Sequence, residues 1–175
     1  MTSPAIADAG PLLAALDVSD VNHLRCVAQL RRRDLRIVVP SLVVTEVAYF
    51  AAKRLGAAVE AAFLRGLAAF EVEAPTLEDW PLIADLVERY ADFPLGTVDA
   101  SIAVLADRLD TDLILTLDRR HFGAIRSPQG RTFRLLPEAS QLNEELMAYR
   151  GARVMQGVDL DDHAALQDLM DGRDR

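Results

Sequence analysis

Short runs of β-branched and aliphatic residues alternate along the chain with longer stretches whose apolar residues recur every three or four positions. Ala5–Asp8 reads as a short strand running into Gly10-Pro11, a turn signal. Ser19 or Asp20 is placed to cap a helix with apolar positions at Val21, Leu24, Val27, Ala28 and Leu30. Arg36–Val39 reads as a strand closed by Pro40. Ser41 then caps a helix to about Arg54, with Gly56 as its stop. A further helix fits Ala57–Ala68, and Phe70–Glu73 fits a strand. Thr76 and Asp79 resemble a capping box, with Asp in place of the usual Glu, ahead of a helical face made by Trp80, Ile83, Val87 and Tyr90. Thr97 caps a helix to about Leu109. Leu113–Leu117 is the continuous apolar run of a buried parallel strand, and Phe133–Leu136, ended by Pro137, is a last strand.

This alternation predicts an α/β domain over residues 1–137, with a mainly parallel sheet and helices on both faces. Residues 138–175 show no strand signal. Helices fit Gln141–Tyr149 and Asp162–Met170, with Gly151 and Gly157 between them. This segment reads as an acidic, partly helical appendage rather than a second domain.

Composition narrows the class. A chain of 175 residues that is 51% hydrophobic has room for one domain with a sizeable core. No apolar run approaches the ~18 residues of a membrane span, and the N-terminus lacks the pattern of a secretory signal. A soluble cytoplasmic protein is expected, with no membrane partner. The lone Cys26 excludes an internal disulfide framework and a cysteine-based zinc site. Net charge is −8, and Lys53 is the one lysine among 19 basic residues. Residues 1–137 hold 18 acids and 15 bases, and residues 138–175 hold nine acids and four bases. Such a body cannot grip nucleic acid by electrostatics alone, so a nucleic-acid role calls for a bound metal.

Four acids stand where the pattern predicts burial. Asp8 is the only charge in residues 1–16, Glu46 the only one in 37–52, and Asp99 the only one in 93–106. Asp118 directly follows the run Leu113–Leu117. Lone buried carboxylates are costly unless they are paired or bind a metal. Asp8 and Asp118 fall at the carboxyl ends of expected parallel strands, where open α/β sheets bind ligands. Glu46 lies about one helical turn beyond its cap, and Asp99 in the first turn of its own helix. All four can face one edge of the sheet. Each also has a plainer explanation: a helix dipole for Asp99, a turn hydrogen bond for Asp8 or Asp118, an arginine partner for Glu46. Hard carboxylate oxygens without nearby His or Cys suit Mg²⁺ or Mn²⁺, which activates water and neutralises phosphate charge.

Other constellations are poor. No phosphate loop and no nucleophile elbow is present, and His23, His121 and His163 lack ligand spacing. His121 reads as a surface residue or one behind the ligands, and Cys26 as an inert core residue. Arg31-Arg32-Arg33 suits a helix C-terminus, whereas Arg119-Arg120, next to Asp118, is placed for phosphate contact.

At these residues the sequence resembles the PIN-domain family and, within it, the VapC-type ribonuclease toxins. The resemblance is carried by Ile6-Ala7-Asp8-Ala9-Gly10-Pro11-Leu12-Leu13, Val39-Pro40-Ser41-Leu42-Val43-Val44-Thr45-Glu46-Val47, Leu95-Gly96-Thr97-Val98-Asp99-Ala100-Ser101-Ile102 and Ile114-Leu115-Thr116-Leu117-Asp118-Arg119-Arg120-His121-Phe122. It implies a three-layer α/β/α fold and an Mg²⁺- or Mn²⁺-dependent endoribonuclease. Asp8, Glu46, Asp99 and Asp118 would form the catalytic, metal-holding quartet. It further implies an RNA substrate (tRNA, rRNA or mRNA), a VapB-type antitoxin and a homodimer. Where many members carry Ser or Thr after the first Asp, this chain has Ala9 and Gly10, which leaves Thr116 as the nearest hydroxyl. Thr116, Arg119 and Arg120 are the expected substrate contacts. The alternative is a PIN-like binding or regulatory module with weak catalysis. A DNA or flap nuclease is disfavoured by the absence of a helical arch region.

Overall fold

The computed structural model describes residues 2–93 and 95–138. Its core is one sheet of five parallel strands: β1 (Ser3–Ala7), β2 (Leu35–Pro40), β3 (Glu71–Glu73), β4 (Leu113–Leu115) and β5 (Arg134–Leu136), in the order β3-β2-β1-β4-β5. β1 is central. Its Ile6 pairs with Val38 on one side and Ile114 on the other. Successive residues of a strand point to opposite faces. Ala5, Ile6 and Ala7 are all fully buried, as are Val38 with Val39 and Ile114 with Leu115. Both faces of the sheet are therefore covered by helices, giving three layers.

The helices are α1 (Ala9–Leu16), α2 (His23–Leu30), α3 (Ser41–Leu55), α4 (Ala57–Gly66), α5 (Asp79–Arg89), α6 (Thr97–Arg108) and α7 (Arg119–Ala124). α6 is buried from Ala100 through Ala106, the most enclosed helix of the fold. Gly56, at φ 92°, ends α3 in a conformation that a side chain would strain, and its amide donates to the carbonyl of Ala51 at 3.0 Å. None of the described helices is long and apolar enough to cross a membrane.

Several local expectations change. Gly10-Pro11 is not a turn but lies inside α1. A proline in the first helical turn loses no intrahelical hydrogen bond, and Asp8 caps the helix. α2 starts at His23, later than expected, and buries Cys26 and Gln29, whereas Val21 and Leu24 are 92% and 80% exposed. In α5 the buried stripe is Asp79, Ile83 and Leu86, leaving Trp80 44% exposed. The capping box is half realised: the Thr76 amide donates to Asp79 Oδ2 at 2.8 Å. The short α7 was not foreseen at all. The helices expected at Gln141–Tyr149 and Asp162–Met170 lie outside the described residues.

Candidate active site

The carboxyl ends of β1 and β4 meet where the Asp8 amide donates to the carbonyl of Leu115 at 2.9 Å. β1 is followed at once by Asp8, and β4, after Thr116 and Leu117, by Asp118; each aspartate caps the next helix. Asp8 Oδ1 accepts from the Ala9 amide at 2.6 Å. Asp118 Oδ1 accepts from the His121 amide at 2.8 Å. The two are joined through Thr116. Its hydroxyl donates to Asp8 Oδ2 at 2.7 Å and accepts from the Asp118 amide at 2.9 Å. The plainer explanation weighed for both aspartates, a hydrogen bond to nearby backbone, is thus real and coexists with their convergence.

Burial and like charge act together on this edge of the sheet. Asp8 is only 8% exposed. Desolvation raises its pKa, the neighbouring Asp118 adds to the rise, and the Thr116 and Ala9 hydrogen bonds oppose it. Glu46, half-buried on the second turn of α3, is raised by desolvation and then by the charge of Asp8. Asp99, half-buried in the first turn of α6, is pushed up to about 6, first by desolvation and then by Asp8, with Asp118 and Glu46 adding to it. A helix N-terminus should favour the charged form, so burial and repulsion outweigh the dipole here. Each acid feels at least one other, which places the four expected residues in one electrostatic cluster.

The remaining expected residues take distinct places. Thr116, expected to touch substrate, is 1% exposed and its hydroxyl is engaged by Asp8 and the Asp118 amide. Arg119 donates through Nη1 to the carbonyl of Pro137 at 2.7 Å, tying α7 to the segment after β5. Arg120 is exposed.

His121 is the residue that sequence reasoning undervalued. Its Nδ1 faces Asp118 Oδ2, and its ring packs edge-on against Phe93 at 4.9 Å between centroids and 63° between planes. Its charge also lowers the pKa of Asp8 and Asp99. The signal was there in the three-residue spacing from Asp118, the spacing of a helix cap to the amide it accepts from.

Elsewhere this fold neutralises its buried acids with arginine. Asp79 pairs with Arg108 at 3.3 Å, and Asp107 with Arg131 at 3.3 Å. Among the described residues Asp8, Glu46 and Asp99 have no such partner. The hard oxygens of Asp8, Glu46 and Asp99, with Asp118 held by His121 beside them, suit a divalent cation in donor chemistry and in charge. These side chains are not closed into a ready cage: no three His, Cys, Asp or Glu residues among those described are grouped to hold an ion. Hydrogen bonds from Ala9, Thr116 and His121 hold Asp8 and Asp118 in their present positions.

Comparison with known proteins agrees with this fold. The PIN domain family model matches residues 5–126. Over 134 residues the chain is 38% identical to the ribonuclease VapC26 of Mycobacterium tuberculosis, covering 75% of this chain and 99% of that protein. The solved structure of VapC20 from the same organism, a sarcin–ricin-loop-cleaving toxin, is similar at 16% identity. It covers 70% of this chain and 97% of its own, with a TM-score of 0.62. The VapBC2 structure from Rickettsia felis, bound to a DNA fragment from its promoter, is similar at 15% identity. Its coverage is 75% and 98%, with a TM-score of 0.58. The two structural likenesses bear on the fold.

Proposed function

The chain belongs to the PIN-domain family and, within it, to the VapC-type toxins, and from that premise we propose that it cleaves RNA phosphodiester bonds with the help of Mg²⁺ or Mn²⁺. The reading rests on one observation above all. Asp8, Glu46 and Asp99 are raised by burial and mutual repulsion at the carboxyl edge of the sheet, without the arginine partners given to Asp79 and Asp107.

Asp8, Asp99 and Asp118 would hold the ion, with Glu46 completing the acidic set. A bound Mg²⁺ or Mn²⁺ lowers the pKa of a water and neutralises charge on the phosphate. The protein's own part is placement. Asp8 is fixed by the Ala9 amide and the Thr116 hydroxyl, and Asp118 by His121. Burial on the β1 side leaves the carboxylates poorly solvated, so a cation held there would supply charge where it is most needed. Thr116 acts through Asp8, as a positioning residue and not as a substrate contact. The exposed Arg120 would meet a phosphate, while Arg119 ties α7 to the segment after β5.

The substrate class is cellular RNA: tRNA, rRNA or mRNA. The partner is a VapB-type antitoxin, the active form is a homodimer, and the reaction takes place in the cytoplasm. Residues 1–137 form the nuclease unit, with 138–175 as an extension outside the chemistry. The test is incubation of RNA with the purified chain and Mn²⁺, with EDTA, and with Asp8→Asn. Cleavage by the wild type alone, abolished by chelation, is the expected result. RNA bound but left intact at every Mn²⁺ concentration would replace the enzyme with a binding module.

A further inference from the structure

His121 meets Asp118 twice. Its amide donates to Oδ1 at 2.8 Å, and its ring nitrogen Nδ1 faces Oδ2. An ionised Asp118 only accepts, and the imidazole tautomer that pairs with it is the one with the proton on Nδ1. The ring is itself held, because its edge packs on Phe93, which precedes α6 in the segment leading to Asp99. One side chain therefore links α7, which carries the fourth carboxylate at its cap, to the segment that delivers the third. The amide contact fixes Asp118 as a cap, and any residue but proline at 121 would supply it. The ring contact adds something a cap does not need, a second donor that selects one rotation of the carboxylate about χ2.

We infer that His121 is a positioning residue for cation binding: its Nδ1–H, braced by Phe93, sets the orientation in which Asp118 meets the metal. The inference rests on the reading of the acidic quartet as a cation site and deepens it. A carboxylate oxygen that accepts one hydrogen bond keeps a lone pair for a metal, and the partners that orient ligating groups commonly govern affinity as strongly as a ligand does. Arg119 and Arg120 flank the same cap but do not serve this role, since Arg119 is turned to Pro137 and Arg120 to solvent.

The experiment is Mn²⁺ titration calorimetry on the full chain with three variants. His121→Leu keeps bulk against Phe93 but removes the donor. His121→Asn places an amide N–H near the position of Nδ1. Asp118→Asn removes the group acted upon. His121→Leu should raise the Mn²⁺ dissociation constant by about 10- to 100-fold, and His121→Asn should recover most of that loss. In the Asp118→Asn background, His121→Leu should have no further effect. Should His121→Leu fail to fold, His121→Ala takes its place. Binding by His121→Leu equal to wild type, an Asn variant as weak as the Leu variant, or an undiminished loss in the Asp118→Asn background would each overturn the inference. A wild-type chain that binds no Mn²⁺ would overturn the cation-site reading itself. A wild type that binds Mn²⁺ and cuts RNA beside unaffected His121 variants removes only the role of His121.

Discussion

Asp99→Asn should stabilise the metal-free protein at neutral pH. The Asp99 carboxyl has its pKa moved from 3.8 to about 6 in the fold, by desolvation first and then by the charges of Asp8, Asp118 and Glu46. A raised folded pKa means that the folded state holds this proton more tightly than the unfolded chain. Below about pH 3.8 both states are protonated and the full contribution to stability is present. As pH rises from about 4 to about 6 the unfolded chain ionises first, and stability falls. At about 1.4 kcal/mol per pH unit the shift corresponds to roughly 3 kcal/mol. The group is only half-buried, and discounted for solvent screening the expected gain for Asp99→Asn at pH 7 is ~1–2 kcal/mol. The gain should fade near pH 4. Mn²⁺ reverses the ranking: at a hundredfold excess over its dissociation constant it should stabilise the wild type by ~2.7 kcal/mol and the variant far less. Urea unfolding of both proteins at pH 4 and 7, with and without Mn²⁺, measures all of this. An Asp99→Asn protein less stable than wild type at pH 7 without metal, or a gain equal at both pH values, would refute the reasoning.

Other consequences can be checked in the same preparations. Thr116→Val is nearly isosteric but strips a donor from the buried Asp8 and an acceptor from the Asp118 amide, so it should cost about 1–3 kcal/mol in urea unfolding at pH 7; a change near zero would mean the hydroxyl is not holding Asp8. Arg120→Ala should weaken RNA binding and reduce its salt dependence by roughly one unit of slope. Arg119→Ala should leave that slope unaltered while lowering stability, because its guanidinium is engaged by Pro137; equal slopes for wild type and Arg120→Ala would remove the phosphate contact. A chain ending at Glu138 should still cut RNA with Mn²⁺, since the match to the VapC26 ribonuclease spans only 134 residues yet 99% of that protein. A folded but inactive truncation would assign residues 139–175 to the chemistry.

How far the sequence could be read follows from what sets each feature. Asp8 and Asp118 stood out because parallel strands buried on both faces are unbroken apolar runs, and a charge at their carboxyl ends is conspicuous. Glu46 and Asp99 stood out for the same reason within α3 and the enclosed α6. What sequence could not separate was cap from site, because Asp8 and Asp118 serve as both. α1 was hidden because Gly10-Pro11 has the composition of a turn, and only the preceding strand and the Asp8 cap make it a first helical turn. α7, at six residues, is too short to show a period. The exposed Val21 and Leu24 show the limit of periodicity: it identified a helix near α2 but not which side would face the core. Thr116 owes its importance to a contact across the sheet edge and His121 to its ring contact with the cap of α7; the three-residue spacing from Asp118 marks the amide of a cap but not the ring contact.

The proposed cation site draws four carboxylates from the end of β1, from α3, from α6 and from the turn after β4. The most direct test is a calorimetric Mn²⁺ titration of the wild type beside Asp8→Asn, Glu46→Gln, Asp99→Asn and Asp118→Asn, each checked for folding. Saturable binding by the wild type, weakened by every one of the four substitutions, is the expected result. Protons should be released on binding at pH 6, where Asp99 is close to half-titrated without metal. A wild type that binds no Mn²⁺, or binding that survives in all four variants, would contradict it.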